Sequence, residues 1–172
     1  MGIELKDGGD WHDGGMLEHY MHQELEDRTA CIHIEVGDND PKDGKKRVGV
    51  YFRSRNCHRQ PIEHYDDAFF DIKEKVESDK DSKLVGIYAD LGFNGRRTDN
   101  RKSFLRMIED CKAGRIDRIV TRSLGKFSPD IKEAVKTVRL LMELGVSVFI
   151  EGECIDTSKP GGDIILAIIE QY

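Results

Sequence analysis

The chain has 172 residues, of which 38% are hydrophobic and 35% are charged, and its formal net charge is −6. This length fits one globular domain with a heavily charged surface. No apolar run approaches the ~20 residues that a membrane helix needs, and no signal peptide is visible, so we expect no membrane partner. The four cysteines are far apart and form no CxxC pair. This pattern is typical of reduced cytosolic thiols, and we expect a cytoplasmic protein.

The first 46 residues differ in composition from the rest of the chain. They contain 5 Lys or Arg and 12 Asp or Glu, whereas the remaining residues contain 22 and 21. We interpret residues 1–46 as an acidic, loosely ordered N-terminal extension. Within it, apolar residues at every fourth position predict a helix over Met16–Arg28, and alternation predicts a strand over Cys31–Val36. The extension is either a solvated leader or an arm that covers a basic site.

From residue 47 to residue 172, short apolar runs alternate with amphipathic segments. Strands are predicted over Val48–Phe52, Leu84–Ala89, Ile116–Thr121 and Val146–Ile150. Helices are predicted over Ile62–Val76, Arg101–Ala113 and Ile131–Leu144, with Leu105 and Ile131 among the residues of their buried faces. This order predicts an α/β fold in which a short, mostly parallel sheet is flanked by helices.

Polar side chains gather in the loops that follow the predicted strands, which is where sites lie in parallel sheets. These loops are Arg53–Gln60, Asp90–Asn100, Arg122–Asp130 and Glu151–Gly162. The basic residues in or beside these loops are Arg53, Arg55, Arg96, Arg97, Arg101, Arg122 and Lys126. The hydroxyl of Ser54 lies among them in the sequence. Such a patch can bind phosphate, and a hydroxyl within it could attack a phosphodiester while the cations stabilise the developing charge. That chemistry needs no metal or cofactor. The sequence also lacks the glycine-rich phosphate loops of nucleotide sites, so we expect no small-molecule substrate.

Three stretches of the chain carry a resemblance to a known family. They are KKRVGVYFR (45–53), LVGIYADLGFNGRRTDNRKSFLRMIEDCKAGRIDRIVTRSLGKFS (84–128) and TVRLLMELGVSVFIEGECIDT (137–157). Together they resemble the catalytic domain of serine site-specific recombinases, the resolvase/invertase superfamily, and most of all its large branch from mobile elements and phages. The resemblance implies DNA as the partner and strand cleavage through a phosphoserine intermediate. It also implies a homodimer or tetramer in the full-length context.

The resemblance also implies roles for individual residues. The first family motif is Tyr-x-Arg-x-Ser, in which Tyr51 and Arg53 match, the serine position falls on Arg55, and Ser54 comes one residue early. Without a gap Arg55 occupies the serine position, whereas a one-residue deletion would restore Ser54 as the nucleophile. The implied catalytic residues are Ser54, Arg53, Arg101 and Lys126. The implied DNA-binding residues are Arg55, Arg96, Arg97 and Arg122.

Two further positions depart from the family pattern after the third strand. Lys126 stands where the family has its first arginine there, and Pro129 stands where it has the second. Lysine offers a point charge instead of a planar fork, and proline carries no charge. Because losing one preorganised donor typically costs ~10²–10³ in rate, we predict weak or absent strand cleavage.

The end of the chain leaves two interpretations open. Residues 163–172 match the start of the long helix that forms the dimer interface in the family, so we expect a catalytic domain truncated at that point. Its apolar side chains could support self-association or pack on this domain's own sheet. Two other functions compete with DNA strand exchange. One is a catalytically inactive relative that acts by protein–protein pairing. The other is a phospho-receiver with Asp90 as acceptor, which lacks the paired acidic residues expected after the first strand.

Overall fold

The structure is a computed structural model that describes residues 2–5, 30–36, 43–54, 71–72, 74–92 and 101–171. Its strands are β1 (Gly2–Leu5), β2 (Ala30–Glu35), β3 (Lys46–Ser54), β4 (Ser82–Leu91), β5 (Arg118–Thr121), β6 (Ser147–Ile150) and β7 (Ile155–Asp156). Its helices are α1 (Lys102–Lys112), α2 (Leu124–Phe127), α3 (Ile131–Glu143) and α4 (Gly162–Glu170). Residues 71–72 and 74–78 are also helical. No helix among these residues is long and apolar enough to cross a membrane.

The strands form one seven-stranded sheet in the order β1-β2-β4-β3-β5-β6-β7. The four central strands, β4, β3, β5 and β6, run parallel to one another. Only the β2–β4 and β6–β7 pairs are antiparallel in this sheet. The predicted α/β fold with a mostly parallel sheet is therefore confirmed. The central strands read as continuous apolar runs because helices cover parallel sheets on both faces.

One face of the sheet, called here the helical face, packs against α1 to α4. The buried cluster on this face contains Tyr51 of β3, Tyr88 of β4 and the apolar sides of all four helices. The predicted helices of this layer are confirmed, but two of the predicted buried positions are wrong. Leu105 is 41% exposed and Ile131 is 49% exposed. On α1 the inner position is taken instead by Met107, which shares a face with Phe104 and Cys111 through the 3.6-residue period, whereas Leu105 is turned about 100° away.

The opposite face is covered by the helical residues 71–72 and 74–78. Ile72 and Val76 pack there against Val48, Val50 and Leu84. The end of the predicted helix over Ile62–Val76 is thus observed, and the helix continues through residue 78. The earlier part of that prediction lies outside the described residues.

Two predicted loops contain short regular elements. The segment Arg122–Asp130 holds the single turn α2, whose first amide, Leu124 N–H, donates to the Glu153 carboxylate at 3.2 Å. The segment Glu151–Gly162 holds β7, which closes a hairpin on β6. Pro129 is compatible with this path because α3 starts only at Ile131, behind the capping side chain of Asp130.

The predicted strand over Cys31–Val36 is confirmed as β2, which pairs antiparallel with β4 from Ala30↔Leu91 to Glu35↔Gly86. It lies inside the segment interpreted as an extension, so this part of residues 1–46 belongs to the sheet. Alternation of apolar and polar residues was enough to predict this strand. Its pairing partner was not predicted, because the pairing depends on the edge that β4 offers. The predicted helix over Met16–Arg28 lies outside the described residues, and the boundary at residue 46 stays a prediction.

Candidate active site

A cluster of buried polar side chains lies where β3 and β4 end, beneath the start of α1. The parallel register of these strands sets Arg53 beside Asp90 and Tyr51 beside Tyr88. Residues two apart on a strand share a face, so Tyr51, Arg53 and Asp90 all lie on the helical face. The pairing of β3 with β4 therefore fixes the positions of these three residues.

Asp90 is the centre of this cluster and has no exposed surface. Its carboxylate accepts hydrogen bonds from the Tyr51 hydroxyl at 3.0 Å and from the backbone N–H groups of Ser103 and Phe104 at 3.1 and 3.0 Å. Those two amides belong to the first turn of α1, which has no partner within the helix for them. A side chain of β4 thus caps α1 and orients Tyr51 at the same time.

Arg101 immediately precedes α1 and is 2% exposed. Its Nη2 and Nε atoms donate to the Tyr51 hydroxyl at 2.8 and 3.2 Å, and its guanidinium carbon lies 4.0 Å from the centroid of the Phe104 ring. Burial and the charge of Asp90 raise the pKa of Tyr51, against the lowering effect of Arg101. The neutral phenol therefore accepts from Arg101 and donates to Asp90.

Arg53 and Arg101 both reach α2. Arg53 Nη2 donates to the Gly125 carbonyl at 3.1 Å, and Arg101 Nη2 donates to the Lys126 carbonyl at 3.4 Å. Arg53 is itself 5% exposed. Two guanidinium groups are thus held in place beneath one helical turn. Fixed cations of this kind can stabilise charge that develops on a phosphate, because they need no reorganisation during the reaction.

Comparison with protein families identifies the family to which this fold belongs. The family model described as "Resolvase, N terminal domain" matches residues 64–172, which is more than half of the chain. The chain belongs to the resolvase family. No curated protein gives a significant match to it.

Two solved structures are similar to this resolvase domain. The N-terminal catalytic domain of TP901-1 integrase superposes with a TM-score of 0.62 at 21% identity, covering 73% of this chain and 93% of that one. A resolvase family site-specific recombinase from Streptococcus pneumoniae gives a TM-score of 0.57 at 25% identity, covering 74% and 85%. The first of these likenesses concerns the fold alone.

Ser54, the implied nucleophile of the resolvase domain, lies on a different face from the arginine cluster. It is the last residue of β3 and pairs with Leu91, a member of the buried cluster on the opposite face. The segment stays extended through Ser54, so the one-residue offset from the family motif is not corrected by a loop. The role of Ser54 stays a prediction, and its strand position separates it from Arg53.

The remaining predicted residues divide into three groups. Lys126 lies half-buried on α2, where its carbonyl meets Arg101, and Arg122 is exposed after β5. Arg55, Arg96 and Arg97 lie outside the described residues. The sequence predicts that these cations, in or beside the loops after the strands, project from one edge of the sheet. For Arg53 and Arg101 that expectation is wrong, because Tyr51 and the carbonyls of α2 bind their guanidinium groups inside the domain.

Sequence reasoning missed Asp90 as part of this resolvase site. It was considered only as the acceptor of a phospho-receiver, an interpretation that the family match now excludes. One signal for its position was available. A carboxylate at the end of a buried strand, followed by a loop and a helix that has no acidic residue in its first turn, is suited to cap that helix.

Proposed function

We propose that this resolvase domain is the catalytic domain of a serine recombinase that acts on DNA, with strand cleavage strongly impaired. The observation that carries the proposal is the pair of buried guanidinium groups, Arg53 and Arg101, fixed under α2. Resolvases act on DNA phosphates, and once a phosphate is bound beside α2 these two cations would supply the positive charge that such a step requires. The altered positions around it reduce the rate that we expect.

Three features reduce the expected cleavage. Ser54 lies on the face of β3 away from Arg53, Lys126 supplies a point charge in place of a fork, and Pro129 supplies none. To bind a phosphate oxygen directly, the Arg101 guanidinium must also give up its hydrogen bond to the Tyr51 hydroxyl. If it keeps that hydrogen bond, it can stabilise the phosphate only through longer-range electrostatic attraction. Each impaired donor costs ~10²–10³ in rate, so the combined cleavage falls near the background.

Trapping the covalent intermediate tests this proposal. A nicked suicide DNA site would be incubated with the wild-type chain and with Ser54→Ala. We expect at most a trace of protein–DNA adduct in the wild type and no change in Ser54→Ala. An abundant adduct that disappears in Ser54→Ala would refute the impaired-cleavage proposal.

A restored variant makes the absence of an adduct informative. The triple substitution Arg55→Ser, Lys126→Arg and Pro129→Arg returns the three family positions to their usual residues. We expect it to form a phosphoserine adduct, which Arg101→Ala should abolish in the same background. If the restored variant binds the DNA site and still forms no adduct, the proposed cleavage chemistry of this domain is wrong.

A second candidate function is pairing with other recombinase subunits without cleavage. The apolar residues Ile164, Ile165 and Ile168 of α4 are 65%, 41% and 54% exposed, whereas Leu166 is buried against the domain. One helix thus has an inner side that packs on its own domain and an outer apolar side suited to a second subunit. Sedimentation of the wild type and of Ile164→Lys/Ile168→Lys would test it. Dimers or tetramers that dissociate in the variant would support pairing, and monomers in both would exclude self-pairing.

We further propose that this domain works in the cytoplasm, with DNA and with reduced thiols. Cys31, Cys111 and Cys154 are free cysteines, and the first two are buried. Titration of accessible thiols in protein purified without reductant would check this. Disulfide-linked dimers in fresh cell extracts would contradict it.

A further inference from the structure

Strand β2 carries a row of polar side chains along the edge of β4. Its antiparallel register sets Cys31 opposite Asp90 and His33 opposite Tyr88. Residues two apart share a face, so this row lies on the helical face beside α1. The match to the family model begins at residue 64, so β2, like β3, lies outside the matched part of the chain.

Cys31 contacts the carboxylate at the centre of the arginine cluster. The two residues are direct neighbours across β2 and β4 and both are buried, and a hydrogen bond between the thiol and the Asp90 side chain contributes to the raised pKa of Cys31. A carboxylate offers about four acceptor positions. The Tyr51 hydroxyl and two amides of α1 occupy three of them, so the thiol supplies a fourth donor. Burial, followed by the charge and hydrogen bond of Asp90, raises the pKa of Cys31 to about 11. The thiol therefore keeps its proton at neutral pH and remains a donor.

The rest of β2 contacts α1 further along the helix. The His33 ring stacks on Tyr88 with centroids 4.6 Å apart, and its Nε2 lies 3.8 Å from the Asp110 carboxylate on α1. Glu35 lies 3.9 Å from Arg106 of the same helix. Strand β2 thus contacts α1 at its middle as well as the residue that caps its start.

We propose that Cys31 is a positioning residue for Arg101. Strand β2 fixes Asp90, Asp90 holds the Tyr51 hydroxyl and the first turn of α1, and those two groups set the Arg101 guanidinium. The chain would thereby position a phosphate-binding arginine with a strand that lies outside the matched residues 64–172. The proposal rests on the proposed function only where it assigns phosphate to Arg101. The positioning itself is measurable without DNA.

Hydrogen exchange of the Arg101 side chain tests the proposal in the full-length protein. The Arg101 Nε–H signal of ¹⁵N-labelled protein, assigned with Arg101→Lys, would be followed in wild type, Cys31→Ala, Cys31→Ser and Cys111→Ala. Cys111 is a matched control because it is also a buried thiol, on the apolar side of α1. We expect exchange to be about tenfold faster in Cys31→Ala and close to the wild-type rate in Cys31→Ser, which retains a donor. Cys111→Ala should stay near the wild-type rate.

Two results would overturn the proposal. One is an unchanged Arg101 exchange rate in Cys31→Ala, and the other is an equal acceleration in Cys111→Ala, which would indicate general loosening. Cys31→Val keeps the bulk and removes the donor, and it replaces the alanine variant if that chain does not fold. Failure of the proposed function looks different. In that case the exchange rates follow the expected order while the restored triple variant forms no DNA adduct.

Discussion

Replacing Asp90 by alanine should destabilise the domain far more than removal of an ordinary helix cap. The substitution leaves the Tyr51 hydroxyl and two amides of α1 without their buried acceptor. Each buried donor without a partner costs about 1–3 kcal/mol, and partial relaxation brings the expected total loss of unfolding free energy to roughly 3–5 kcal/mol. For a chain of this size each kcal/mol lowers the melting temperature by about 2–4 °C, so a fall of roughly 10 °C follows.

Asp130→Ala is the matched control for that prediction. Asp130 also accepts two amides of a helix start, from Lys132 at 2.9 Å and Glu133 at 3.4 Å, but it is exposed to water. Water replaces the lost acceptor there, and we expect a loss of about 1 kcal/mol. Urea unfolding followed by circular dichroism would give both values. If Asp90→Ala lowers the unfolding free energy no more than Asp130→Ala does, then burial does not increase the stabilising effect of a helix cap, and the reasoning about the cluster is wrong.

Two further predictions concern stability. Burial opposes the ionisation of Asp156, yet its hydrogen bonds from Arg118 lower its pKa to about 2. A depressed pKa stabilises the folded state above the unfolded value of about 4, and this contribution disappears as the pH falls toward 2. Urea midpoints of Asp156→Asn should therefore change less between pH 5 and pH 2 than those of the wild type, and parallel curves would contradict this. An added Cβ at Gly86 would lie 2.8 Å from the Tyr88 ring, so Gly86→Ala should cost about 1–3 kcal/mol in the same urea assay. Gly125→Ala, where the added methyl meets open space, should be neutral or slightly stabilising, and equal losses at both positions would contradict the steric argument.

The main architecture was predictable because each parallel strand is a short apolar run between amphipathic helices. Val48–Phe52 and Leu84–Ala89 lie inside β3 and β4, and their order along the chain indicates a parallel sheet. The lengths of these two strands were underestimated, whereas β5 and β6 begin later than the predicted strands over Ile116–Thr121 and Val146–Ile150. β3 continues through Ser54, since pairing with β4 keeps polar residues extended where propensity alone suggests a loop.

The contacts within the candidate site were less predictable. Sequence placed Arg53 and Arg101 near one sheet edge, and the structure brings both to α2. It did not show that they are buried, because that depends on Tyr51 and on carbonyl groups far away in the chain. Backbone carbonyls carry no residue-specific signal. A single-turn helix such as α2 also has too few residues for a periodic pattern to reveal it.

The pairing of β2 with β4 also affects the tendency of shortened versions of this protein to aggregate. β4 is ten residues long, nearly all of its residues are buried, and its middle part is apolar in sequence. If the chain were shortened to begin at β3, the backbone N–H and C=O groups on that side of β4 would be left without partners. An uncovered apolar edge of this length is a template for pairing with other chains. Strand β2 covers this edge, so we expect versions shortened to begin at β3 to aggregate more readily than the 172-residue chain.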